Sequence, residues 1–111
     1  MRMKQEEAIE AFAALAQPSR MEIYRMLVRE EPRGVRVGEI SRKLDIVPST
    51  LSGHLAILKR AGLLKATRHQ REIHYAANLD AMVGLVGFML EDCCGGQVEN
   101  CREIVSLLPE S

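Results

Sequence analysis

The stretch that decides the fold is residues 37–62, Val-Gly-Glu-Ile-Ser-Arg-Lys-Leu-Asp-Ile-Val-Pro-Ser-Thr-Leu-Ser-Gly-His-Leu-Ala-Ile-Leu-Lys-Arg-Ala-Gly. Val37 to Leu44 carries apolar residues at helical spacing, and Asp45-Ile46-Val47 follows as a turn. Pro48 suits the first position of a second helix, and Gly62 is typical of the residue that ends one. Two helices joined by so short a turn predict a helix-turn-helix.

The second helix opens with small polar residues, which is the pattern expected where a helix enters the major groove of DNA. Hydroxyl groups contact phosphates or base edges, and an imidazole can do either. We therefore predict DNA contacts at Ser49, Thr50, Ser52, Gly53 and His54. These turns contain no Arg, Asn or Gln, so part of the specificity is expected to come from DNA shape.

A β-hairpin is predicted directly after the helix-turn-helix. Residues 63–65 and 73–77 have the composition of two short strands, and the polar run 68–71 lies between them as the tip. Arg68 and Arg71 are expected to reach the neighbouring minor groove or the DNA backbone, and His69 a phosphate.

The charge distribution agrees with a nucleic-acid partner. The 111-residue chain has a formal net charge of zero, yet residues 33–74 carry nine basic and three acidic side chains, a balance of +6. The preceding residues balance at −1 and the following ones at −5. Positive charge is thus concentrated where a polyphosphate would dock.

Helices are also predicted on both sides of this segment. Residues 5–16 are helical, with Ile9, Phe12, Leu15 and Ala16 at helical spacing, and a second helix covers 19–29. A further helix begins near Leu79 and is apolar nearly all round, which favours packing on its own domain and on a second subunit. Gly95-Gly96 breaks it, and residues 99–108 predict a short last helix.

The length predicts one domain, 1–111. The pattern of elements predicts a mainly α-helical fold in which a small β-hairpin follows the helix-turn-helix, that is, a winged helix-turn-helix. A dimer is expected, because the apolar helix near Leu79 needs a partner and the core is poor in aromatic residues. No apolar run approaches the roughly 18 residues of a membrane span, and no leader pattern opens the chain. A cytoplasmic location is expected, where thiols stay reduced.

Three motifs resemble the ArsR–SmtB family of winged-helix repressors. They are residues 14–23 (Ala-Leu-Ala-Gln-Pro-Ser-Arg-Met-Glu-Ile), 49–64, which resembles the recognition helix, and 68–75, which resembles the wing. The resemblance implies a helix-turn-helix over about 37–61, a wing over about 63–77, and a dimerisation helix with a thiol-bearing tail over about 79–108. It also implies a homodimer on an inverted-repeat operator of double-stranded DNA, released by an inducer.

Two inducer sites common in that family are not expected here. Where many members have Cys-Val-Cys, this chain has Arg36-Val37-Gly38. Other members bind zinc or cobalt through Asp and His pairs on the last long helix. Asp80 is present, but no histidine follows Tyr75.

All three cysteines, Cys93, Cys94 and Cys101, fall within nine residues near the end of the chain. Adjacent residues on a helix point about 100° apart, so Cys93 and Cys94 cannot chelate one ion from a regular helix. Gly95-Gly96 supplies the freedom to unwind and fold Cys101 back. Three thiolates suit a three-coordinate soft ion better than tetrahedral zinc.

Arsenic-responsive members of the family have vicinal cysteines near the C-terminus, so the resemblance makes As(III) or Sb(III) the expected metalloid inducer. Zinc or cadmium with Asp92 or water as a fourth ligand, a redox or sulfane-sulfur signal, and a purely structural role stay open. A thiol enzyme is not expected, because no histidine lies in the last 36 residues to serve as an acid–base partner. No catalytic cofactor is expected either. A co-regulator that binds a protein instead of DNA is disfavoured by the +6 segment.

Overall fold

The structure is a computed structural model that describes residues 3–90. Its elements are α1 (Gln5–Leu15), α2 (Pro18–Arg29), β1 (Val35–Arg36), α3 (Val37–Leu44), α4 (Pro48–Arg60), β2 (Leu64–His69), β3 (Glu72–Ala77) and α5 (Leu79–Leu90). The mainly helical winged fold is therefore confirmed. The three cysteines, the glycine pair and the last helix predicted over 99–108 lie outside the described residues.

The helix-turn-helix forms where the sequence places it, because its turn is closed by local bonds. Asp45 takes the left-handed conformation (φ 53°) after the last residue of α3. The Ser41 hydroxyl donates to the Ile46 carbonyl at 2.6 Å, and the Ile46 amide donates to the Ser41 carbonyl at 3.1 Å. Pro48 opens α4, and Gly62 follows its end at φ 82°.

The wing differs from its prediction in length and in its number of strands. β2 and β3 pair antiparallel up to His69 opposite Glu72, so the turn contains only Gln70 and Arg71. The predicted tip, 68–71, was therefore too wide. Gln70 makes the tight turn possible with a left-handed φ of 59°, which a glutamine does not signal. β1 was not predicted, because two residues carry no alternation; it pairs with β3 in the order β1-β3-β2.

One core joins the helices and the base of the wing. Leu51, Leu55 and Leu58 of α4 are buried, as their spacing predicts, together with Ile23 and Leu27 of α2. These side chains fix the angle of α4 on the rest of the domain. Its opposite, polar side is left exposed.

Helix α1 packs through alanines, contrary to part of the predicted stripe. Ala8, Ala11 and Ala14 are buried with Leu15, whereas Ile9 and Phe12 are 58% and 43% exposed. Small side chains allow α1 to approach α2 and α4 closely, and that approach turns the larger side chains outward.

Helix α5 is apolar but is covered on one side only. Leu85 is buried, whereas Leu79, Val83 and Met89 are 41%, 70% and 58% exposed. Helix α5 packs on α1, and the two helices carry five exposed apolar side chains, which we call the α1–α5 surface: Ile9, Phe12, Leu79, Val83 and Met89. Over residues 3–90, no helix is long and apolar enough to cross a membrane.

Candidate nucleic-acid interface

The first turns of α4 present the predicted DNA-reading residues together. Ser49, Thr50, Ser52 and Gly53 are all exposed, on the side opposite the buried leucines. A side-chain carbon placed on Gly53 would meet nothing within 4 Å. The α4 backbone is therefore open to solvent at this point. These four residues form an exposed strip along the first turns of α4, which we call the polar strip.

His54 lies apart from that strip and is half-buried. Its Nδ1 is 3.5 Å from Nη1 of Arg20, a residue of α2 that is 34 positions earlier in the chain. Sequence reasoning missed Arg20 because the contact depends on how α2 crosses α4. The motif at 14–23 contained the residue, but nothing in its spacing indicated a partner.

The wing places three further predicted residues at its outer end. Arg68, His69 and Arg71 are exposed, and the Arg68 Nε donates to the Gln70 carbonyl at 3.2 Å across the turn. The His69 ring lies 4.5 Å from that of His74, centroid to centroid, on the neighbouring strand. Both arginines are thus exposed at the outer end of the wing, whereas the His69 ring packs beside that of His74.

Ion pairs neutralise part of the basic segment before any DNA arrives. Arg33 binds Glu30 at 2.6 Å and Glu39 at 2.9 Å, and Lys43 binds Glu39 at 3.2 Å. Hydrogen bonds from Arg33 and Lys43 lower the pKa of Glu39 to about 2. The Arg36 guanidinium, 3.0 Å from Glu72, likewise lowers the pKa of that carboxyl. Glu39 and Glu72 are already counted in the +6 balance, whereas Glu30 lies outside that segment, so its pairing with Arg33 lowers the balance by one.

Within residues 3–90, no group of three His, Cys, Asp or Glu side chains is arranged to hold an ion. The predicted ligands Cys93, Cys94 and Cys101 lie outside this part of the chain.

An exposed reading helix beside an arginine-tipped hairpin defines the class of DNA-binding winged helix-turn-helix proteins. A family model described as a helix-turn-helix domain matches residues 15–66. The HTH-type transcriptional regulator YbzH of Bacillus subtilis is 35% identical over 95 residues, which is 75% of this chain and 95% of YbzH.

Similarity to solved structures indicates which family within this class the chain resembles. An ArsR-like transcriptional regulator from Rhodococcus sp. RHA1 superposes with a TM-score of 0.66 at 25% identity, covering 92% of this chain and 90% of that one. The homodimeric winged domain of Mb0332 from Mycobacterium bovis, described as a possible ArsR-family regulator, gives 0.60 at 25% identity, covering 80% and 86%. The chain belongs to the ArsR family of winged-helix transcriptional regulators. Its relatives are regulators, in agreement with the prediction that it is not an enzyme.

Proposed function

We propose that this regulator is a homodimeric repressor that occupies an inverted-repeat operator and is released when Cys93, Cys94 and Cys101 bind trivalent arsenic or antimony. The observation that carries the DNA half of the proposal is the exposed polar strip of α4 next to the Arg68 and Arg71 wing. Both parts would meet one duplex, the helix in the major groove and the hairpin beside it.

The α1–α5 surface supports the dimer. Side chains as large as Phe12 and Val83 stay 43% and 70% exposed in the single chain. Burying such residues against a second copy is favourable by about 25 cal/mol per Å² of apolar surface removed from water. A symmetric pair also fits a repeated operator, because two recognition helices must lie one turn of DNA apart.

The position of the thiols connects ligand binding to this surface. Cys93 follows Leu90, the last residue of α5 that the structure describes, by three positions. An ion that draws the chain after α5 into a chelate would change how α5 packs on its partner subunit. Because both half-site contacts depend on the angle between subunits, a small change there weakens both together.

The choice of ion depends on the donor set. Three clustered thiols with no histidine after Tyr75 favour a three-coordinate soft ion over one that needs four ligands. Glu91, Asp92 and Glu99 disfavour free thiolates, so binding would release protons. Zinc or cadmium, and oxidation or persulfidation of the same thiols, are the competing signals.

The test is fluorescence anisotropy of reduced protein on its own promoter fragment, titrated in parallel with arsenite, a zinc salt and a persulfide donor. Release by arsenite alone is expected. Single Cys93→Ser, Cys94→Ser and Cys101→Ser variants should bind the same DNA and lose the response. A parental arsenite response in all three variants refutes the thiol site, and release by persulfide alone assigns the cysteines to a redox signal.

A further inference from the structure

The Arg20 side chain is held in place at the elbow between α1 and α2. Its backbone amide donates to Oε1 of Gln17, the residue that caps α2, at 2.8 Å. Its Nε donates to the Ala14 carbonyl of α1 at 2.6 Å. With backbone and side chain both bonded, the guanidinium has little freedom, and its Nη1 comes to lie 3.5 Å from Nδ1 of His54.

The chemistry of this contact assigns the proton on the imidazole. A guanidinium has only N–H donors, so a hydrogen bond across this 3.5 Å contact makes Nδ1 of His54 the acceptor. The proton of the neutral ring is then on Nε2, which becomes a hydrogen-bond donor. Without a partner at Nδ1, either nitrogen could carry that proton.

The surroundings of His54 make a donor useful there. The residue is in the second turn of α4, directly after Gly53, where open space allows DNA to come close. In the major groove an N–H donor distinguishes acceptor edges, such as guanine O6 and N7 or thymine O4, from the amino groups of cytosine and adenine. In the neighbouring strip, Ser49, Thr50 and Ser52 carry hydroxyls, which can donate or accept.

We propose that Arg20 is a positioning residue that holds His54 as an Nε2–H donor and so sets the preference for an acceptor edge at one base pair in each half-site. The proposal rests on DNA recognition by α4, as proposed above, and is independent of what the cysteines bind. Arg20 itself need not touch DNA. The competing explanation is that Arg20 only fastens the elbow between α1 and α2.

The experiment is selection from a random duplex library by the full-length parent and by Arg20→Met, Arg20→Lys and His54→Ala. Arg20→Lys keeps the positive charge but replaces the guanidinium, which contacts both Ala14 and His54, with a single ammonium nitrogen. Arg25→Met is the matched control, since Arg25 is an exposed arginine on the same helix. Loss of one hydrogen bond corresponds to about a 2- to 10-fold loss of discrimination.

In the duplexes selected by both Arg20 variants and by His54→Ala, the base preference is expected to weaken at the same pair of symmetry-related operator positions. Arg25→Met should select the parental motif. In parallel, ¹⁵N spectra of the three imidazoles should show the Nδ1 signal of His54 moving in both Arg20 variants, with the signals of His69 and His74 unchanged. Motifs that keep their preference in both Arg20 variants overturn the proposal, as does an unchanged His54 signal. Absence of any motif for the parent instead contradicts the proposed function.

Discussion

The contact between Gly34 and His74 leads to a sharp prediction for Gly34→Ala. Gly34 directly precedes β1, and a Cβ atom placed there would lie 2.8 Å from the Cβ of His74 on β3. Carbon atoms prefer about 3.5–4.0 Å, so the two strands have to separate by roughly 1 Å. No change of rotamer relieves this collision, because both atoms are bonded directly to the backbone.

The expected cost follows from two opposing terms. Overpacking of this kind destabilises by about 1–3 kcal/mol. The loss of glycine's freedom in the unfolded chain returns about 0.4–1 kcal/mol. The two terms leave a net destabilisation of between about 0 and 2.6 kcal/mol. Because the 2.8 Å contact joins two Cβ atoms that only a backbone shift can separate, we expect the upper part of this range, roughly 1–2.6 kcal/mol. DNA binding should weaken as well, because β1 pairs with β3 of the wing.

Urea unfolding followed by circular dichroism measures this change. Gly38→Ala is the control, because a Cβ at Gly38 in α3 meets nothing within 4 Å; there the helix should gain about 0.5–1 kcal/mol. In a His74→Gly background, Gly34→Ala should cost less than in the parent. A Gly34→Ala protein as stable as the parent would refute the close packing of Gly34 on His74.

Four further predictions concern the core, the ion pairs, the dimer and the wing. Leu55→Ala, at a fully buried site, should lower the free energy of unfolding by about 2–5 kcal/mol in urea; a cost below 1 kcal/mol contradicts the packing of α4. Because Arg33 holds the pKa of Glu39 at about 2, below its ordinary 4.5, the stability from this carboxylate is present above pH 4.5 and lost as the pH falls towards 2. Glu39→Gln should flatten that part of a stability–pH curve, and an unchanged curve excludes the pair as its source. Val83→Glu should give monomers in sedimentation equilibrium; an unchanged dimer places the interface elsewhere. Arg71→Gln should reduce the slope of log affinity against log salt by about 1, and an equal slope removes Arg71 from the phosphate contacts.

The helix-turn-helix was predictable because its signals are local. Pro48 and Gly62 mark the start and the end of α4 through backbone geometry, and the leucine spacing identifies its buried side. The exposed strip from Ser49 to Gly53 follows directly from that assignment. The wing was only partly predictable, because its turn requires a left-handed backbone conformation at Gln70, and glutamine is not a residue type that favours this conformation.

For the cysteine cluster, the prediction rests on the sequence alone, because Cys93, Cys94 and Cys101 lie outside residues 3–90. Its composition and spacing are properties of the sequence, and the expectation of a soft ion comes from thiolate chemistry and family resemblance. The structure adds α5 up to Leu90, three positions before Cys93, and the exposed apolar side chains of α1 and α5.

Within residues 3–90, the sequence by itself determined which segments are helices, which side of α4 is polar, and where positive charge is concentrated, because each depends on residues within a few positions of one another. Only the tertiary structure decided that Ile9 and Phe12 face outward, that His74 packs on Gly34, and that Arg20 meets His54. Those outcomes depend on how closely alanines let α1 approach its neighbours and on how α2 crosses α4. Such long-range packing depends on the shape of the whole core, so it cannot be predicted from the spacing of residues that are close together in the sequence.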